Sequence, residues 1–320
     1  ELIAEAFERL SSTDVVLGPA RDGGYYLIGL RAPVSQLFQD IPWGGERVLA
    51  ETVRRANQQS LTVSLLETLS DVDRPEDLAV WQRSQQDQWD NPAVATISIV
   101  IPTLNEADHL QKTLRSVQHG EGVETIVVDG GSADATRAIA EQQGCRVLQA
   151  AASRAGQLNA GAEAAGGSIL LFLHADTQLS PGFDTAIRSS LRNTDVIAGA
   201  FRLCIDASGP ALRAIERTVA VRSRFFQMPY GDQAMFVRKK TFRKLGGFPL
   251  IPIMEDYEFV RRLRGLGKIQ MIDLPAITSG RRWQILGPWR TTWINQKVIL
   301  GYHLGVSPER LARWYQQASK

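Results

Sequence analysis

From Thr96 onward, short β-branched runs alternate with helical stretches, and this alternation limits the fold more than any other feature of the chain. ISIVIP (97–102) has the pattern of a buried strand, and EADHLQKTLRSVQ places apolar residues at helical spacing. ETIVVDGG reads as a second strand ending in glycines, and DATRAIAEQQG as a helix with a Gly stop. CRVLQA, RAGQLNAGAEAAGG and SILLFLHAD continue as strand, helix and strand. Connections this short predict an α/β fold with a mostly parallel sheet flanked by helices. Such sheets bind ligands beyond the carboxyl ends of their strands.

The polar motifs fall at those ends. Pro102-Thr103-Leu104-Asn105-Glu106 follows the first strand, where a nucleotide could be met or a helix capped. Asp129 ends the second strand. It can accept hydrogen bonds from a base or ribose, with Gly130 and Gly131 letting the backbone approach a ligand. The alternative is a glycine turn with Ser132 or Asp134 capping the next helix. Asp176 closes the fourth strand, and a carboxylate leaving an apolar strand needs a partner or a metal. A hard divalent cation that keeps substrate phosphates as ligands needs only one or two carboxylates, so Asp176 is the candidate metal ligand. His174 is either its neighbour in that role or a hydrogen-bonded core histidine. Glu255 and Asp256 open a helix, EFVRRLRGLG, whose dipole favours acids there. Either carboxylate could also take a proton from an acceptor hydroxyl.

Composition excludes several classes. Two cysteines, Cys145 and Cys204, cannot build a disulfide framework or a CxxC metal site, which points to a reducing, cytoplasmic setting. The net charge of +2 hides an asymmetry: 8 basic and 15 acidic residues through Pro92, then 28 and 19. A basic second part suits an anionic ligand such as a nucleotide diphosphate, an anionic membrane surface, or simply a solvated face. No nucleic-acid-binding module is present, so nucleic acid is not an expected partner. No apolar run approaches the roughly 20 residues of a membrane span. The chain opens on ELIAEAFERL, without an initiating Met or a basic leader, and reads as a piece of something longer.

The order IPTLNE, VVDGGSAD, a helix with Arg154, Gln157 and Asn159, FLHAD, GDQ, GGF and MED resembles family-two glycosyltransferases of the GT-A (Rossmann-like) fold. FLHADT, GDQAMFVRK, RRW and YHLGVSPERLARWY resemble in particular a bacterial subfamily labelled for arsenosugar biosynthesis. The resemblance implies an inverting, nucleotide-sugar-dependent transferase using Mn or Mg, with a UDP-type donor and a small-molecule or lipid-like acceptor. It implies that Pro102, Glu106, Asp129, Gly130, Arg154, Asn159 and Ala175 serve the nucleotide, and that Asp176 is the metal acid. His174 stands where many relatives carry a first Asp. Asp256, beside Glu255, would be the general base. Gly231 and Asp232 would line the acceptor side, and Arg281, Arg282 and Trp283 the diphosphate and sugar.

The first stretch differs. DVVLGPARDGGYYLIGL reads as strand, glycine loop and strand, followed by a helix (ERVLAETVRRANQQ), a strand (LTVSLLE) and DVDRPEDL. It resembles the C-terminal half of an associated nucleotidyltransferase-like GT-A family, without that family's phosphate loop or first metal acid. Residues 1–90 are therefore expected to be an incomplete half-domain. Asp71 or Asp73 would be a metal acid without a partner. Residues 91–96 read as a linker and 97–320 as the transferase domain. A nucleotidyltransferase-related or catalytically degenerate nucleotide-binding protein is the alternative reading. The tail from about residue 285 is helical, aromatic and basic. It is read as packing on the core, covering the acceptor site or lying on the inner face of a plasma membrane.

Overall fold

The computed structural model describes residues 2–39, 41, 43–45, 47–69 and 95–318. The chain divides into two compact units, Glu1–Asp87 and Gln88–Lys320. Asp71, Asp73, the rest of DVDRPEDL and linker residues 91–94 lie outside the described residues.

In the first unit, helix α1 (Leu2–Leu10) is followed by β1 (Val15–Pro19), β2 (Tyr25–Leu30), α2 (Val48–Gln58) and β3 (Val63–Leu65). β1 is central, antiparallel to β2 and parallel to β3. Its alternate residues feed two small cores. Val15 and Leu17 meet Leu37 and Ala56 on one face, and Val16 meets Ala6 and Leu66 on the other. The glycine loop is the tight turn its sequence suggests: Gly23 has φ +90°, and Gly24 N–H donates to Asp22 Oδ1 at 3.0 Å. Among the described residues its cores are small, and β2 and β3 are edge strands. An isolated 1–90 fragment is accordingly expected to melt gradually when followed by circular dichroism. A steep, calorimetrically two-state transition would refute that.

The second unit is built on an eight-stranded sheet. Its strands are β4 (Ile97–Thr103), β5 (Val123–Asp129), β6 (Arg146–Gln149), β7 (Ile169–Phe172), β8 (Thr177–Leu179), β9 (Val196–Asp206), β10 (Met235–Arg238) and β11 (Lys268–Ser279). They lie in the order β6-β5-β4-β7-β10-β9-β11-β8. The first four are parallel, as the alternation predicts, and β9 and β11 are parallel too. β10 runs antiparallel between β7 and β9, and β8 is an antiparallel edge. Ile97, Ile99 and Ile101 of β4 enter one core layer and Val100 the other, so this strand is apolar on both faces.

Helices α3 (Ala107–Val117), α4 (Thr136–Gln142), α5 (Arg154–Ala164), α6 (Phe183–Leu191), α7 (Pro210–Phe226), α8 (Lys239–Lys244) and α9 (Glu255–Arg264) accompany the sheet. α5 sits close because of Gly161, where an added Cβ would lie 2.3 Å from Val100 Cγ1. That approach carries Gln157 to the sheet, and its Nε2 donates to the carbonyls of Thr103 and Val128 at 2.8 Å each. The ends of β4 and β5 are thereby tied together beside the site.

The tail forms α10 (Arg281–Leu286), α11 (Pro288–His303) and α12 (Pro308–Ala318). It is packed on the unit: Val298 and Leu311 are buried in the same core as Val100. Polar ties fix it to α9. Tyr302 Oη donates to Glu258 Oε2 at 2.9 Å, and Tyr257 Oη lies 2.6 Å from His303 Nε2.

Candidate active site

The strand ends of the parallel half are stitched by short polar loops. Asp129 is fully buried. Its Oδ2 accepts the N–H groups of Gly131 and Ser132 at 2.9 and 3.0 Å, and its Oδ1 accepts Ser132 Oγ at 2.5 Å. Burial pushes its pKa up, but these hydrogen bonds and nearby Arg137 win and hold it below the usual value. Ser132 Oγ also accepts Asn105 N–H at 2.9 Å, and Asn105, at φ +55°, takes Ala133 N–H on its Oδ1. Asp134 accepts Thr136 N–H and Ala107 N–H, capping as the turn alternative expects. Asp129 therefore shapes the loop that follows β5.

Across from this loop, Arg281 Nη2 lies 2.6 Å from Glu106 Oε1 and 3.3 Å from Asp176 Oδ2. One guanidinium thus joins the loop after β4 to the acid after β7, although Glu106 and Arg281 are 175 residues apart. Glu106 keeps a buried Oε2 without a hydrogen-bond partner.

On the other side, α9 begins at Met254, a buried residue held at φ +71°. Backbone strain of this kind in a non-glycine persists where its surroundings enforce it. The conformation presents Glu255 and Asp256. Asp256 Oδ2 accepts Gly231 N–H at 2.8 Å and its Oδ1 accepts Tyr257 N–H at 2.7 Å. Glu255 is buried, with Oε1 3.6 Å from Arg154 Nη1. Burial, with the charge of Asp256 beside it, raises its pKa. Gly231 fills a narrow place: an added Cβ would stand 3.0 Å from His174 Nε2 and 3.1 Å from Asp256 Oδ2. Burial, with Arg154 adding, pushes the His174 pKa down to about 3, so the imidazole is neutral.

Asp232 has a buried Oδ1 without a hydrogen-bond partner. Burial pushes its pKa up to about 6, with Arg222 opposing and Asp256 adding. The folded protein therefore holds this proton at a pH where the unfolded chain, near 3.8, has released it. Its contribution to stability falls as pH rises from about 4 to about 6. Asp232→Asn is expected to remove that fall and to stabilise the protein by roughly 1–3 kcal/mol at pH 7. Denaturant titrations of both proteins at pH 4.5 and 7 measure it. An equal pH dependence would rule it out.

Arg282 points elsewhere than Arg281. Its guanidinium lies 4.1 Å over the Tyr315 ring, with Nε and Nη2 buried and unbonded. Burial, together with Arg154, lowers its pKa. A half-buried cation whose Nε and Nη2 lack partners suits an anionic ligand.

Arg154, His174, Asp176, Gly231, Asp232, Glu255, Asp256, Arg281, Arg282 and Trp283 all line one cavity of about 550 Å³. Ile253, Val298, Ile299, Ala312 and Tyr315 complete it as an apolar wall. Pro102, Glu106, Asp129, Gly130, Asn159 and Ala175 do not line it. Asn159 instead ties α5 to the loop before α9, its amide taking Phe248 N–H at 2.9 Å and donating to Phe248 O at 2.8 Å. Ala175 is buried, and its carbonyl accepts Thr113 Oγ1. Sequence reasoning missed Tyr315, Asn295 and the apolar wall. Their only signal was the spacing of Thr291, Asn295, Val298 and Ile299 along one helix face.

Among the described residues no three His, Cys, Asp or Glu side chains gather as a metal cluster. Asp176 and the neutral His174 both line the cavity, each with an atom a cation could use. This set fits a hard divalent cation that shares its remaining positions with ligand phosphates.

Residues 98–246 match the family described as Glycosyl transferase family 2. Residues 1–45 match "Uncharacterized protein conserved in bacteria (DUF2064)". Of the curated relatives from Mycobacterium tuberculosis (strain CDC 1551 / Oshkosh), "Uncharacterized protein MT1568" is 38% identical over 100 residues. That alignment covers 29% of this chain and 31% of the relative. "Uncharacterized glycosyltransferase MT1564" is 28% identical over 193 residues, covering 52% of this chain and 68% of the relative. The chain thus spans under a third of the first relative's length. Among solved structures, the mannosyltransferase PcManGT from Pyrobaculum calidifontis in complex with GDP-Man and Mn2+ is 16% identical. It aligns with a TM-score of 0.48 over 76% of this chain and 79% of that one. S. aureus TarS in complex with UDP-GlcNAc is 16% identical, with a TM-score of 0.47 over 57% and 58%. Within the second unit, with its α/β sheet, residues 98–246 carry the similarity to glycosyl transferase family 2.

Proposed function

We propose that the second unit moves a sugar from a nucleoside-diphosphate donor, of UDP type, to a hydroxyl of a small-molecule or lipid-like acceptor, inverting the anomeric carbon. The observation that carries this reading is the convergence of Asp176, Asp256, Arg281 and Arg282 on one cavity. Asp176 and Arg281 stand beside the stitched loops of the parallel half, where the nucleotide is met. Asp256 stands on the other side, its carboxylate oriented by the N–H groups of Gly231 and Tyr257. There it accepts the proton of the acceptor hydroxyl as that oxygen bonds to the anomeric carbon and the bond to the diphosphate breaks. Arg281 exchanges its carboxylate partners for the diphosphate, and Arg282 offers its free donors to an anion. A divalent cation, Mn or Mg, held by Asp176 with His174 beside it, would neutralise charge on the leaving diphosphate. The free thiols Cys145 and Cys204 suit a cytoplasmic setting. The 1–90 half-domain is assigned no catalysis of its own.

Thermal shift with nucleoside diphosphates and nucleotide sugars, with and without Mn or Mg, tests the reading. One nucleotide should raise the melting temperature in a metal-dependent way. No shift with any of them would replace the transferase by a catalytically degenerate domain.

A further inference from the structure

Helix α11 carries two unlike faces. Thr291, Asn295, Val298 and Ile299 turn toward the cavity. About half a turn around, Trp289, Trp293, Lys297, Leu300 and Leu304 recur at helical spacing and face out. Trp289 is 71% exposed, Trp293 64% and Leu304 75%. A surface helix of a globular protein ordinarily keeps its outer face polar, and this one does not. Its only charged groups are cations. No acid occurs between Gly280 and Glu309, whereas Arg281, Arg282, Arg290 and Lys297 do. Lys297 Nζ lies 5.4 Å from the Trp293 ring and 4.9 Å from Trp314. Helix α7 packs against α11 and repeats the composition at its end, where Val221, Phe225 and Phe226 are exposed beside Arg217 and Arg224.

We propose that the outer face of α11, with the end of α7, docks on an anionic lipid bilayer, the helix lying in the plane of the headgroups. Tryptophan suits that layer because its ring is apolar and its N–H is polar. Cations alongside meet anionic headgroups, and no acid on this helix face opposes them. The same charge pattern disfavours a second copy of the chain, since a two-fold contact would set cation against cation. No helix among the described residues is long and apolar enough to cross a membrane, so the contact is one of surface. Because the inner face of α11 walls the cavity, docking would bring that cavity to the bilayer boundary. The docking surface itself does not depend on the transferase reading.

The test uses the full chain and vesicles of phosphatidylcholine with or without phosphatidylglycerol. Flotation at low salt should carry the protein up with the anionic vesicles at least tenfold more than with phosphatidylcholine alone, and salt should weaken it. Bromine-labelled lipid should quench tryptophan emission. The double variant Trp289→Ser/Trp293→Ser should lose most flotation and most quenching while keeping the wild-type melting temperature. Lys297→Glu, a surface change, gives an independent loss if the double variant folds poorly. Absence of flotation at low salt overturns the proposal. So does full flotation of Lys297→Glu together with the double variant. A concentration-dependent dimer that these substitutions abolish would assign the face to a second copy instead.

Discussion

Asp256→Asn is expected to lower kcat by roughly 10²–10⁴-fold, the usual contribution of a positioned general base, and to leave KM nearly unchanged. The carboxylate oxygens accept Gly231 N–H and Tyr257 N–H. An amide keeps one acceptor and turns a donor toward the other N–H, which costs about 1 kcal/mol of stability. A melting temperature a few degrees lower with turnover reduced a thousandfold would separate chemistry from folding. The measurement is product formation with the nucleotide sugar that raises the wild-type melting temperature. Wild-type turnover in Asp256→Asn would remove the base assignment and turn attention to Glu255. That carboxyl is buried beside Arg154 and holds its proton more tightly than usual.

Asp176→Ala carries the second large effect. At a ligand concentration about 100 times Kd, binding to the folded state adds about 2.7 kcal/mol. For a unit of this size that is a rise of roughly 5–10 °C in melting temperature. In Asp176→Ala the metal-dependent part of this rise should vanish, because a cation sharing phosphate ligands loses the carboxylate proposed to hold it. Arg281 would keep Glu106, 2.6 Å away, so the loop after β4 should remain in place. A metal-dependent shift that survives the substitution would mean that Asp176 serves chiefly to hold Arg281.

The parallel half of the sheet was legible because each strand is a short apolar run on its own and each helix carries its own stop. The antiparallel insertion of β10 between β7 and β9 was not. It pairs residues near 236 with residues near 170 on one side and near 199 on the other, and no local pattern encodes such partners. At the site, Asp176 and Asp256 could be picked out as acids placed after an apolar strand and at a helix start. Asp129 could be picked out as well, but its environment could not. Whether a strand-end acid meets a ligand or its own loop depends on a few ångströms of backbone, and here it takes three hydrogen bonds from Gly131 and Ser132. Asn159 stands in a helix that resembles the family's, yet its amide holds the backbone of Phe248, 89 residues away.

The sequence by itself determined the alternation of strands and helices, the placing of polar motifs at strand ends and the resemblance to glycosyl transferase family 2. These follow from hydrophobic period and turn chemistry, which act over a few residues. Only the tertiary structure decided that Arg281 joins Glu106 to Asp176, that Arg282 turns to Tyr315, and which side of α11 faces the cavity. α11 is apolar on both sides, so its own sequence does not say which side faces inward. Packing against α9, α7 and α12 makes that choice, because burying Val298 and Leu311 in the common core leaves Trp289 and Trp293 outside.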